Sequence, residues 1–332
     1  MIVPDFWAEA RRQHRADEKH GGRQVTVRRF GWSNASELDA LVMAEARADE
    51  ALRRILAGEK LGKREPKVPY NGAVGVPIRE EVIARHGQQV ITRNSYGARC
   101  LNSPDLLIAD VDFARRPVSR KQWLAALGAM LAAAIVLHQV FGVGRRFELG
   151  MVVLALLFSS LLASLVQRLS IAVRGGARRL ARSRIDAFAT GHREWNLRIY
   201  ETPAGLRVIA THRPFDAADD DVKTFFDAIN VDPMYARMCL NQRCFRARLS
   251  AKPWRIGIAT HMRPRPGTWP VRPERMGDRK AWIAEYEAAA SAYAACRFVE
   301  SVGSGVVDAS IAPVIELHDR ESRALAAGTR VA

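Results

Sequence analysis

Cysteine is scarce in this sequence, and what there is does not cluster. Of Cys100, Cys239, Cys244 and Cys296, only Cys239 and Cys244 are close neighbours. With no second Cys or His pair at metal-ligand spacing, a zinc site is not expected, and reduced, partly buried thiols are. A secretory leader is also missing. The opening "MIVPDFWAEARRQHR" has neither an apolar core nor a small-residue cleavage site, so most of the chain is expected to stay in the cytosol. Acidic side chains are the third shortage. Asp and Glu number 35 against 51 Lys and Arg, a formal charge of +16 that calls for an anionic partner or surface. Nucleic acid or nucleotide and anionic lipid head groups both qualify, and composition does not choose between them.

What the chain has in abundance is apolar length near its middle. Residues 123–143, "WLAALGAMLAAAIVLHQVFGV", and 149–166, "LGMVVLALLFSSLLASLV", are nearly free of charge. Each approaches the length a helix needs to cross a hydrocarbon core of about 30 Å. Only "GRRFE" separates them, which predicts a tight transmembrane hairpin. Arg115, Arg116, Arg120 and Lys121 precede the first span, and Arg168, Arg174, Arg178, Arg179, Arg182 and Arg184 follow the second. Basic flanks stay on the cytoplasmic side, so both termini are expected to face the cytosol of a bacterium, with the hairpin in its inner membrane. Gly128 and Ala132 make a small-xxx-small pair suited to packing on the second helix. The competing expectation is a buried helical hairpin in a large soluble protein.

Around this hairpin the pattern mixes helix and strand. Ser33 and Asn34 with Glu37 predict the capped start of a helix to about Leu56, ended by Gly58. A short helix is expected over Glu80 to Arg85, then a strand "QVITR", a turn "NSYGA" and a buried strand "LLIADVDF". After a basic connector, "NLRIYETPAGLRVIATH" alternates as a hairpin, with Pro203 and Gly205 at its turn. Asp219 and Asp220 cap a helix carrying Phe225, Phe226 and Ile229, and a shorter helix follows around Tyr235. "CFRARLSAKPWRIGIATH" predicts two strands, and Met262 to Arg275 is too rich in proline for a regular element. A helix is expected from Asp278 to about Val302, and a last strand, "IAPVIEL", runs into His318 and Asp319. The fold class is thus α+β, a mixed or antiparallel sheet with flanking helices, interrupted by a two-helix transmembrane hairpin. The expected divisions are an N-terminal helical region (1–60), the first part of a cytosolic domain (61–120), the hairpin (121–168), a basic connector (169–190), the second part (191–320) and a tail (321–332).

Candidate chemistry sits at strand ends. Asp110 and Asp112 are two apart in a strand and project to one side, where they repel unless a cation or arginines lie between them. With Asp319 they form a possible three-carboxylate site for Mg²⁺ or Mn²⁺ and phosphoryl transfer. The alternative is a strand-end pair neutralised by Arg115 or Arg116. Arg246 and Arg248 alternate on one strand face, and with Lys252 and Arg255 they suit phosphate binding, Trp254 offering a stacking surface. His212, His261 and His318 end or follow expected strands, where each can orient a phosphate or water.

The stretches "KVPYNGAVGVPIREEV", "ITRNSYGARCLNSPDLLIADVDF", "RIYETPAGLRVIATH", "CFRARLSAKPWR" and "IAPVIELHD" resemble those of an uncharacterised family of bacterial proteins, some with this hairpin. That resemblance spans about Thr26 to Arg320 and implies no activity. A fainter one is to the archaeo-eukaryotic primase superfamily, in which an acid-x-acid strand end, a histidine on a later strand and a third acid form the site. Asp110 and Asp112 match the first element and Asp319 can match the third. Arg207 stands where the histidine is expected, with His212 further on. A haloacid-dehalogenase-like phosphatase also begins with Asp-x-Asp, but this chain has Ala114 where that pattern takes Thr or Val. Two functional expectations follow: a noncatalytic, membrane-tethered module that binds nucleic acid, lipid or protein, and a metal-dependent phosphoryl- or nucleotidyl-transfer enzyme. In the second, Asp110, Asp112 and Asp319 hold the metal and Arg207, Arg246, Arg248 and Lys252 contact phosphate.

Overall fold

The computed structural model describes residues 3–15, 24–63, 76–113, 118–142, 145–267 and 269–332, with the side chains of 145–149 outside that description. The protein is a mixed α+β structure with antiparallel sheets and eight helices among the described residues. It divides into two units, residues 1–111 with 188–332, and residues 112–187.

The first unit begins with a strand pair, β1 (Phe6–Arg15) and β2 (Gln24–Ser33), covered by α1 (Glu37–Leu56). The sequence predicts a helix to about Leu56 in this region and does not announce the strand pair ahead of it. Val25 and Val27 alternate on β2, but the apolar residues of β1 are too few to declare a period. The helix meets the strands through small side chains only: Ala40, Ala44, Ala48 and Ala51 are buried. Gly31 of β2 lies so close that a Cβ there would overlap Ala40 O and Ala44 N. The N-cap is Ser36, whose hydroxyl accepts from Asp39 N–H, so the helix starts later than Ser33 and Asn34 suggest.

Two four-stranded sheets follow. One has the order β3-β4-β5-β9, built from β3 (Glu81–His86), β4 (Gln89–Arg93), β5 (Arg99–Ser103) and β9 (Phe245–Arg248), all neighbours antiparallel. The other has the order β11-β7-β8-β6, from β6 (Ile108–Asp112), β7 (Asn196–Thr202), β8 (Gly205–Ala210) and β11 (Arg297–Gly303). The strand that precedes the apolar segment, β6, therefore pairs with β8, the second strand after it. Every residue of β8 is buried, which places this sheet at the centre of the unit. A short parallel pair joins β10 (Tyr293–Ala294) to β12 (Arg330–Val331).

Helices α5 (Asp220–Ile229) and α6 (Pro233–Gln242) follow the expected positions, and Val222, Phe225, Phe226 and Ile229 of α5 are buried. Four of the later elements differ from expectation. Glu80–Arg85 lies largely in strand β3, not a helix. Helix α7 (Met276–Ala290) stops well before Val302, and the chain goes on as β10 and β11. "IAPVIEL" is the start of α8 (Ala312–Ser322), not a strand; Pro313 occupies its first turn, where a missing N–H costs nothing. Of the two strands expected in "CFRARLSAKPWRIGIATH" only β9 forms, and Pro253–Arg255 is a 3-10 turn.

The second unit contains α2 (Arg120–Phe141), α3 (Arg145–Val173) and most of α4 (Gly176–Gly191). Both α2 and α3 hold stretches long and apolar enough to cross a membrane. Ala126 on α2 and Ala155, Ser159 and Ala163 on α3 are buried, a seam of small side chains at four-residue spacing on α3. Gly128 and Ala132 are exposed and lie off this seam. Arg115 and Arg116 fall outside the described residues, as does most of the Pro- and Gly-rich stretch before Val76.

Candidate functional site

The central sheet carries charged residues inside an apolar frame. Tyr200 of β7 stands opposite Arg207 of β8, so both lie on one face, with Arg198 two residues from Tyr200 on the same side. Arg207 is 1% exposed. An arginine so placed is stable only if its donors are met, and here they are met from three directions. Its Nε and Nη2 donate to Asp110 Oδ1 and Oδ2 at 2.8 and 3.1 Å. Nη1 donates to the Arg248 carbonyl at 3.0 Å and lies 3.2 Å from His318 Nε2. Burial opposes the charge on Arg207, but Asp110 outweighs it and leaves the pKa above the ordinary arginine value.

From His318 the line continues. Its Nδ1 is 2.9 Å from Asp319 Oδ1, and Asp319 Oδ2 accepts from Arg198 Nη2 at 2.7 Å. Arg198 Nε in turn donates to the Tyr200 hydroxyl at 2.8 Å. Cys296 Sγ sits 3.9 Å from His318 Nε2 and 3.5 Å from Ser322 Oγ. The result is one connected chain of polar contacts, Asp110, Arg207, His318, Asp319 and Arg198, drawn from β6, β8, α8 and β7. Burial would raise the pKa of Asp319, but its bond with His318, and then Tyr200 and Arg198, hold it below the ordinary carboxylate value. Burial would lower that of His318; the bonds to Asp319 and Cys296 outweigh it and Arg207, for a net rise. The Cys296 thiol is likewise pushed up by burial, and His318 more than reverses this.

A second buried network lies in the β3-β4-β5-β9 sheet. Glu80 Oε2 accepts from Arg246 Nη2 at 2.5 Å and from Thr92 Oγ1 at 2.7 Å, and Asn102 Nδ2 donates to Thr92 Oγ1 at 2.9 Å. Glu80 and Arg246 are 1% and 6% exposed at their side chains. Tyr235 links the two sheets: its hydroxyl is 2.7 Å from Ile108 O of β6 and 3.0 Å from Arg246 O of β9.

The expected site residues are therefore distributed as follows. Asp110, Arg207, His318 and Asp319 come together, but Arg207 and His318 separate the carboxylates. All four carboxylate oxygens of Asp110 and Asp319 are engaged by Arg207, His318 or Arg198. Asp112 is exposed at the end of β6. Among the described residues, no group of three or more His, Cys, Asp and Glu is arranged to hold a metal ion. Arg246 is committed to Glu80, while Arg248 is half-buried on the same strand face. Lys252 Nζ lies 5.5 Å from the Trp254 ring centre, and Arg255 closes the 3-10 turn. His212 packs on Trp195, with burial and then Arg213 lowering its pKa, and His261 is exposed. Nothing in the sequence pattern marks Glu80, Arg198, Tyr200 or Cys296 as partners. The one usable signal is an arginine set between apolar residues of a strand, as at Arg198 and Arg207. Comparison with family models, with curated proteins and with solved structures finds no match in any of the three.

Proposed function

We propose that this protein is a membrane-tethered, noncatalytic module whose basic, charge-braced domain binds an anionic partner. The observation that carries the tether is the surroundings of α2 and α3. Only 6% and 17% of their apolar windows are buried within the protein, whereas the core hairpin of a soluble protein is mostly covered. Val140, Phe141, Val153, Leu157 and Leu161 are all more than half exposed. Each such side chain is about 1.5–3 kcal/mol more favourable out of water, and lipid supplies that environment along the apolar stretches of both helices. Arg120 and Lys121 at one border and Arg168, Arg174, Arg178 and Arg179 at the other favour a cytosolic placement of both ends.

The noncatalytic half of the reading rests on Arg207 and Arg198. A divalent ion at Asp110 and Asp319 would have to displace two guanidinium groups, one of them fully buried. Mg²⁺ or Mn²⁺ chemistry of the primase-like kind is thus the second reading, and it requires this chain of ion pairs to open. Two measurements test the proposal. Alkaline extraction should leave the full chain in the bacterial membrane fraction, with a reporter after Arg184 active only as a cytosolic fusion; release, or a periplasmic signal, refutes the tether or its orientation. Titration of the purified full chain with Mn²⁺ should give the same response in the wild type and in Asp110→Asn, and saturable binding lost in that variant would restore the enzyme reading.

A further inference from the structure

The segment after β9 presents a positive surface with one aromatic ring exposed in it. Between Leu249 and Pro273 there is no Asp or Glu, while Lys252, Arg255, Arg263, Arg265 and Arg272 fall in that interval. The backbone that carries them is pinned. Ile258 and Met262 are buried with Trp282 and Tyr286, and Trp282 Nε1 donates to Thr260 Oγ1 at 3.1 Å. Gly267 abuts the β4–β5 turn so closely that a Cβ would overlap the Ser95 carbonyl, and Met262 Cε lies at the same place. Arg263 and Arg265, both exposed, are thereby held beside that turn.

The next residue of the turn, Tyr96, meets Trp254 at 5.3 Å with the rings inclined by 62°. Trp254 is 58% exposed, and Lys252 Nζ sits 5.5 Å from its ring centre. Arg248, on the same face of β9 as Arg246, keeps its Nε without a hydrogen-bond partner. Arg248 as a whole is only half-buried, and phosphate supplies the oxygen acceptors that a guanidinium takes. A bilayer would be recognised differently. Membrane-inserting loops present several apolar side chains together, whereas Trp254 is the sole exposed large apolar residue between Leu240 and Val299 among the described residues. A lone ring among cations matches an unpaired base with flanking phosphates, since every base has a face to stack and a duplex would hide it.

We propose that Trp254, Tyr96, Lys252, Arg248, Arg263 and Arg265 form a binding surface for single-stranded nucleic acid, Trp254 stacking on one base and the cations holding the adjoining phosphates. This names the anionic partner of the module described above and rests on its noncatalytic binding role, not on the tether. The test uses the full chain in zwitterionic nanodiscs and a fluorescein-labelled oligo-dT, read by anisotropy at several salt concentrations. Trp254→Ala should weaken binding roughly 5- to 150-fold, the range of one lost base stack, and Trp254→Phe should recover most of it. An abasic strand of equal length should bind weakly and be indifferent to Trp254→Ala. The double variant Lys252→Gln, Arg263→Gln should flatten the salt dependence. Equal oligo-dT binding by wild type and Trp254→Ala, or no binding by either, overturns the proposal. So does a Trp254 effect confined to phosphatidylserine vesicles, which assigns the surface to lipid. None of these results moves the extraction or Mn²⁺ readouts, so failure here is distinguishable from failure of the tether or of the noncatalytic reading.

Discussion

Neutralising Asp110 should destabilise the protein, and the sign of that change separates two accounts of the same carboxylate. In Asp110→Asn the amide oxygen can still accept one bond from Arg207, but its NH₂ then faces a second guanidinium donor. Arg207 stays buried with an uncompensated charge. Removing one partner of a buried ion pair costs about 3–5 kcal/mol. The Asp110 side chain is 36% exposed, so water screens part of the interaction and the loss falls to about 2–3 kcal/mol. At ~2–4 °C per kcal/mol for a unit of this size, the thermal midpoint should drop by roughly 4–12 °C. The assay is thermal unfolding of the detergent-solubilised full chain, followed by tryptophan fluorescence and far-UV circular dichroism. The double variant Asp110→Leu, Arg207→Met should recover part of the loss, because no buried charge remains, although His318 and the Arg248 carbonyl lose a donor. If Asp110 instead belonged to a cluster of repelling carboxylates awaiting a cation, Asp110→Asn would relieve repulsion and raise the midpoint. An unchanged or higher midpoint would refute the ion-pair account.

Glu80→Gln should cost more than Asp110→Asn, about 3–5 kcal/mol, because both Glu80 and Arg246 are shut away from water; denaturant midpoints that rank the two variants in the opposite order would contradict the burial argument. Asp319 has a folded pKa below its unfolded value, so its contribution to stability is complete above about pH 4 and is lost as pH falls through the folded pKa. Acid unfolding curves of Asp319→Asn should therefore be flatter than wild type below pH 4, and parallel curves would exclude that contribution. Among the thiols, burial pushes Cys244 up to about 11 and Cys239 also well above the ordinary value, whereas His318 holds Cys296 down. At pH 8 a thiol of pKa 11 is ~0.1% thiolate, so timed alkylation with peptide mapping should find Cys296 modified before Cys239 and Cys244. Labelling of Cys244 first would reverse the assignment.

Some of this was readable from the chain because short-range chemistry agreed with the fold. In "NLRIYETPAGLRVIATH" the two-residue alternation and the Pro and Gly of the turn both specify a hairpin, and β7 and β8 form it. The helix to Leu56 and the Phe-rich α5 announce themselves by period. The failures share a cause. "EEVIARH" and "APVIEL" are too short for period to separate helix from strand, and tertiary pairing decides: β3 gains the edge of β4, while α8 packs on the face that holds Arg207. At the candidate site the sequence groups Asp110, Asp112 and Asp319 as metal ligands with Arg207 as a phosphate contact, and of these Asp110, Arg207 and Asp319 come together. It does not show that Arg207 and His318 stand between the acids, with Arg198 beyond Asp319, because those neighbours are created by packing α8 against strands more than a hundred residues away.

The pairing of β6 with β8 bears on how the chain is made. Leu106 and Leu107, with Ile108 and Ala109 at the start of β6, are fully buried in the finished protein. Its hydrogen-bonding neighbour ends at Ala210, about 100 residues later, with the whole apolar segment in between. At ~5–20 residues per second a ribosome takes roughly 5–20 s to cover that distance. During that time β6 is an unpaired, greasy edge of the kind that aggregates. The order of synthesis therefore asks the cell to settle the two long helices first and to shelter an incomplete sheet until its missing strands arrive.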